Sequence, residues 1–135
     1  MDFSFIKLPK NIQRRDPYPG EQKYFKANPH VAGMATEDGK VILNEHTKLS
    51  KEQYQAVAIN ESARLVMKNN PDMKASFALT DAQKATLDAS TYRNASEEDR
   101  AATIAARLYS GDKSGGVPTP EQELFLERLK QAFGD

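Results

Sequence analysis

The sequence predicts a mainly α domain of the α+β class, with about four helices, one β-hairpin and an extended N-terminal arm. Three observations carry that expectation. Helix-start signatures recur at Ser50, Thr80, Ser96 and Thr119, each a side chain that accepts an orphan backbone N–H at a helix N-terminus. One Asp-Gly pair, Asp38-Gly39, lies between two short apolar stretches, the pattern of a tight hairpin turn. Residues 1–20 carry Pro9, Pro17 and Pro19 with no helical periodicity, and prolines remove donors and restrict their neighbours. A length of 135 residues suits a single domain, expected over residues 21–135 with the hairpin near 31–43.

Along the chain, residues 1–20 read as an arm with an apolar tip, Phe3, Phe5 and Ile6. The tip is laid on its own domain or inserted into a partner. Residues 21–27 suit a short helix carrying Tyr24 and Phe25, ended by Asn28-Pro29. Residues 31–35 and 40–43 flank the turn, and the run Val41-Ile42-Leu43 predicts a strand covered on both faces. Ser50 and Gln53 form a capping box for a helix reaching Asn69, where Asn70-Pro71 stops it. Thr80 with Gln83 opens a short helix ending near Ser90. Ser96 opens another, with acid in its first turn where the helix dipole favours it. There Ala101, Ile104, Ala105 and Leu108 form one stripe, and Gly111 suits the position past the end. Residues 112–117 read as a mobile loop. Thr119-Pro120 opens the last helix, with Phe125, Leu129, Ala132 and Phe133 as its buried stripe.

Composition excludes several function classes. Nineteen basic and nineteen acidic residues give zero formal charge, unlike a strongly basic nucleic-acid binder. With no Cys, disulfide scaffolds, thiolate metal sites and Cys nucleophiles are excluded. No apolar stretch approaches a membrane span and no signal-peptide apolar run opens the sequence, so a soluble protein of a reducing compartment is expected. Leu, Ile, Val and Phe total 26 residues, supplemented by 17 Ala. The core is therefore expected to be thin, which favours a protein partner or a second copy over part of its apolar surface.

The sharpest candidate is Glu61, one helical face with Tyr54, Val57, Ala58 and Leu65. A carboxylate among apolar neighbours must be paired or protonated, and Arg64 at i+3 is within pairing range. Glu61 is the one catalytic candidate; no catalytic set is assembled around it in sequence. His30 and His46 flank the hairpin but read as surface residues near turns, so no metal site and no cofactor are expected. The acids Glu97, Glu98 and Asp99 are accounted for by the helix start. Residues 111–116 lack the order of a phosphate-binding loop. The binding candidates are the arm residues Phe3, Phe5, Ile6, Arg14, Arg15 and Tyr18. The two arginines with Tyr18 and Tyr24 suit phosphates and bases. However, residues 1–30 carry only +3, with Lys7, Lys10, Arg14, Arg15, Lys23 and Lys26 against Asp2, Asp16 and Glu21. A protein partner is expected rather than nucleic acid.

Two resemblances add context. The strand at 40–43 followed by a capped helix carrying Asn60-Glu61-Ser62-Ala63-Arg64 resembles the strand-plus-helix unit of zincin metalloproteases, whose motif is His-Glu-x-x-His. Glu61 matches the general base. Asn60 and Arg64 stand where the zinc-binding histidines would be, and Arg stays protonated and binds no metal. That resemblance implies a zinc-free remnant. Separately, the runs from Tyr24-Phe25 through Asn28-Pro29-His30-Val31-Ala32-Gly33-Met34-Ala35 to Asn44, then residues 60–64, then Ala105-Ala106-Arg107-Leu108-Tyr109-Ser110-Gly111-Asp112 and Thr119-Pro120-Glu121-Gln122, resemble small proteins of tailed bacteriophages and prophages. This resemblance implies a virion or host-cytoplasm location. The function expected from it is a non-enzymatic binding or assembly module, a minor virion or ejected protein, with a soluble inhibitor of a host bacterial enzyme as the alternative.

Overall fold

All four helix starts are realised at the capping residues. The computed structural model describes residues 1–134. In it, α2 runs over Lys51–Asn69, α4 over Asp81–Asp88, α5 over Glu97–Tyr109 and α6 over Pro120–Phe133. The hydroxyls of Ser50, Thr80, Ser96 and Thr119 each accept an N–H three residues on. Two further helices bring the total among the described residues to six. Helix α1, Pro19–Ala27, begins inside the stretch predicted to be extended, because Pro19 occupies the first helical position, where its missing N–H is not needed. Helix α3, Pro71–Ala75, starts in the same way on the proline expected only to stop α2. No helix of the described residues is long and apolar enough to cross a membrane.

The hairpin forms from β2, Gly33–Ala35, and β3, Lys40–Leu43, paired antiparallel with Met34 opposite Ile42. Gly39 takes φ +76 at the turn, a conformation that glycine adopts without Cβ strain. Val41, Ile42 and Leu43 are all buried, as the apolar run predicts. A third strand was not foreseen. Gln13–Arg14, β1, pairs parallel with the other edge of β3, giving the order β1-β3-β2.

The arm thus lies on its own domain. Phe3 is buried against Tyr54, their rings edge to face at 4.9 Å. With Val41, Leu43 and Leu65 they form a small core beneath the sheet. Gln55 brackets the Lys7 backbone, accepting its N–H at 2.8 Å and donating to its carbonyl at 2.7 Å. Farther on, the Asn11 N–H reaches the Phe133 carbonyl at the end of α6.

The larger core is helical. Helix α5 is buried without a break from Ala101 to Ala106, so it is a central helix rather than one with a single apolar stripe. It packs between α2 and α6, meeting Ile59, Ala63 and Val66 on one side and Phe125, Leu129 and Phe133 on the other. Residues 112–117, expected to be mobile, hold a 3₁₀ turn at Lys113–Gly115, and Gly115 is buried. Two glutamines secure that end. Gln83 and Gln122, the third helical residues of α4 and α6, exchange amide hydrogen bonds at 2.9 and 2.8 Å in the core. Each also accepts the N–H of its own capping threonine, and their amides reach the carbonyls of Gly115 and Ala78.

Candidate functional site

The six predicted binding residues separate into two groups. Phe3 is core, and Phe5 and Ile6 are half-buried beside it. Lys51 lies over the Phe5 ring at 5.3 Å and Arg14 over the Phe3 ring at 5.7 Å. Arg14 also pairs with Asp16 at 3.0 Å. The apolar tip is therefore consumed by the fold.

Arg15 and Tyr18 form the second group. Arginine carries five guanidinium donors, and all five are engaged here. Two reach Glu21 at 2.6 and 3.0 Å, two reach Asp38 at 3.0 and 3.1 Å, and one reaches the Asp16 carbonyl at 3.1 Å. The arm, α1 and the hairpin turn are tied together at this one side chain. The hydrogen bonds from Arg15 hold Glu21 below the usual carboxylate range, and Asp38 well below it. The Tyr18 ring lies on the guanidinium, 3.8 Å from its carbon to the ring centre, in cation–π geometry. Its outer face is open, the residue being 58% exposed. The result is an aromatic platform fixed from beneath. Tyr24, on α1, the helix that Tyr18 precedes, is also exposed. Arg15 is saturated by two carboxylates and a carbonyl, while Arg14 pairs through Nη1 with the exposed Asp16.

Glu61 sits at a junction of three elements. Residues 32 and 36 turn their backbone groups to β3, with Asn44 N–H donating to the Ala32 carbonyl and Thr36 N–H to that of Lys40. By the two-residue period of a strand, Ala35 turns its N–H away from β3, on the side of the Glu61 carboxylate, where it favours the charged form. The residue is 8% exposed. Arg64 Nη1 approaches its oxygens at 3.3 and 3.5 Å, longer than a strong charge-assisted bond. The same guanidinium places Nε 2.9 Å from Asp99 Oδ1 on α5, though without hydrogen-bond alignment, so that buried oxygen has no bonded partner among the described residues. Desolvation pushes the Glu61 carboxyl up to about 7; Arg64 pulls it down and Asp99 opposes that pull. The Glu61–Arg64 pairing was predicted. The part played by Asp99 was not: the helix-start role does not exhaust it, and no local spacing links residue 99 to residue 61.

Asn60 and Arg64, at the positions of the zincin histidines, have structural partners. Asn60 donates to Thr103 at 3.0 Å and to the Tyr92 hydroxyl at 3.4 Å. His30 is exposed, and His46 lies 3.9 Å from Glu45. Among the described residues no group of three or more His, Asp and Glu side chains is placed to hold a metal ion. A depression of about 440 Å³ runs between Leu8-Pro9 of the arm, Gln55, Ala56 and Ile59 of α2, and Ser110.

Comparison with protein-family models, with curated proteins and with solved structures finds no match to this chain.

Proposed function

We propose that the chain is a non-enzymatic binding and assembly module, working in a tailed-phage particle or an infected bacterial cell, and that it docks a protein partner through the Tyr18 platform. The observation that carries this reading is the saturated Arg15 beneath an exposed Tyr18 ring. Tyrosine on a rigid support gives contact area with little rotamer entropy left to lose, the property of residues that dominate protein interfaces. The bonded roles of Asn60 and Arg64 support a structural Glu61 rather than a general base. The phage setting rests on the resemblance of residues 24–130.

The test is affinity capture from phage-infected cells with a tag on the C-terminal side, compared with Tyr18→Ala. Recovery of capsid, portal or tail proteins by the unaltered chain, reduced about tenfold or more in the variant, supports an assembly role through this surface. Recovery of one host enzyme instead assigns the chain to the inhibitor class. Equal recovery by both forms refutes the Tyr18 surface.

A further inference from the structure

A second site lies where α2, α3, α5 and the outer edge of β2 meet. It is a cavity of about 90 Å³ lined by Ala35, Arg64, Met67, Lys68, Lys74 and Glu98. We propose that this cavity binds a single tetrahedral oxyanion of the sulfate or phosphomonoester class.

Size and charge both lead there. A volume of about 90 Å³ is well short of the roughly 300 Å³ at which pockets for drug-sized ligands begin, so a nucleotide does not fit but one oxyanion does. Three cations converge on it from two helices. Arg64 and Lys68 stand one turn apart on α2, and Lys74 comes from α3. Arg64 bonds Glu61 through Nη1 and sets Nε beside Asp99 as an ion pair, and Nη2 makes no hydrogen bond among the described residues. Lys68 has no carboxylate partner among them. Lys74 is held by Glu98, whose side chain is 61% exposed and can swing to water when an anion replaces it. Met67 and Ala35 close the apolar side.

A proton is linked to binding. The charged groups around Glu61 are Arg64 on its own helix and Asp99 on α5, with only the Ala35 backbone from β2; Lys74 and Glu98 complete the cavity rim. An anion on Arg64 competes with the Glu61 carboxylate for the same guanidinium. Protonated Glu61 releases Arg64, so binding strengthens as pH falls, and with its carboxyl near 7 the site takes up a proton on filling.

The experiment is calorimetric titration of the full chain with sulfate at constant ionic strength. Sulfate carries no titrating proton between pH 6 and pH 8, so any pH dependence belongs to the protein. The expected result is one saturable site, up to about tenfold tighter at pH 6 than at pH 8, with buffer-dependent heats that report proton uptake. Lys68→Gln, a change on the exposed side of α2, is expected to weaken binding about fivefold with unchanged melting. Glu61→Gln should keep binding and lose its pH dependence. Should that variant fail to fold, the proton uptake of the unaltered chain decides the linkage. Titration with inorganic phosphate and with methyl phosphate separates the sources: equal affinity identifies a free-anion site, and tighter methyl phosphate a phosphorylated partner. Heats equal to those of sodium chloride at matched ionic strength, or Lys68→Gln binding like the unaltered chain, overturn the proposal. A Glu61→Gln variant that folds and keeps the pH dependence overturns the linkage.

Discussion

Replacing Gln122 by Ala removes the centre of a closed amide pair. In the folded chain Gln122 Nε2 donates to Ala78 O and Gln83 Oε1, and its Oε1 accepts from Gln83 Nε2 and the Thr119 N–H. After substitution, one hydrogen on Gln83 Nε2 loses its partner in the interior, while the carbonyl of the exposed Ala78 turns to water. The Thr119 N–H turns to water. A buried orphan costs about 1–3 kcal/mol, so a loss of about 2–3 kcal/mol is expected, a sizeable part of the roughly 5–15 kcal/mol that holds a domain. Gln83→Ala should cost more, about 3–4 kcal/mol, because the buried Gly115 carbonyl is orphaned together with one hydrogen on Gln122 Nε2. The two costs share two hydrogen bonds, so the double variant should fall short of their sum by about 2 kcal/mol. Urea unfolding followed by helical circular dichroism measures all three. Single costs below about 1 kcal/mol, or additivity within about 0.5 kcal/mol, would show that the pair does not act as one unit.

Three further outcomes are expected. Gly33→Ala places a Cβ 2.9 Å from Val57 Cγ1 and 3.0 Å from the Ile42 carbonyl, so it should destabilise the domain by about 1–3 kcal/mol, read as a lowered urea midpoint. Phe3→Ala should cost about 3–4 kcal/mol and speed tryptic cleavage after Lys7 and Lys10; unchanged melting would place the arm outside the cooperative unit. The Glu61 carboxyl, at about 7 when folded against an ordinary 4.5, binds its proton more tightly in the folded than in the unfolded chain. Its contribution is therefore fully present below pH 4.5 and declines as pH rises to 7 and beyond, by about 3 kcal/mol. Glu61→Gln should remove that slope from a plot of stability against pH, and a persisting slope would assign it to another group.

What the sequence made legible was local. A cap needs only residues three apart, so Ser50, Thr80, Ser96 and Thr119 could be read directly, as could the Asp38-Gly39 turn. The strand Gln13–Arg14 was hidden because two residues carry no alternation and their partner lies on β3, past the whole of α1. Pro19 and Pro71 were read as breakers, yet proline also begins helices, and only the chain beyond decides which role it takes. The all-round burial of α5 was masked by Ala101, Ala102, Ala105 and Ala106, small residues that look neutral in a pattern but let α2 approach closely. At the candidate sites, Arg15 and Tyr18 were selected from sequence, and so was Glu61 with Arg64. Their other partners, Asp38 for Arg15 and Asp99 for Arg64, arrive through tertiary packing from 23 and 35 residues away.

The bond from Asn11 to Phe133 also bears on the order in which the chain folds. Residue 11 leaves the ribosome before residue 133, so one of the arm's anchors does not exist until α6 has been made. The parallel pairing of Gln13–Arg14 with Lys40–Val41 likewise closes a long loop before it is rewarded. Before α6 is made, the arm has Phe3, Gln55, the pairing of β1 with β3 and the Arg15 bonds to hold it, and its Asn11 end locks when α6 arrives. Docking of Asn11 is then a late event in folding, and a nascent chain halted before α6 leaves that one anchor unmade while Phe3 and β1 already have their partners.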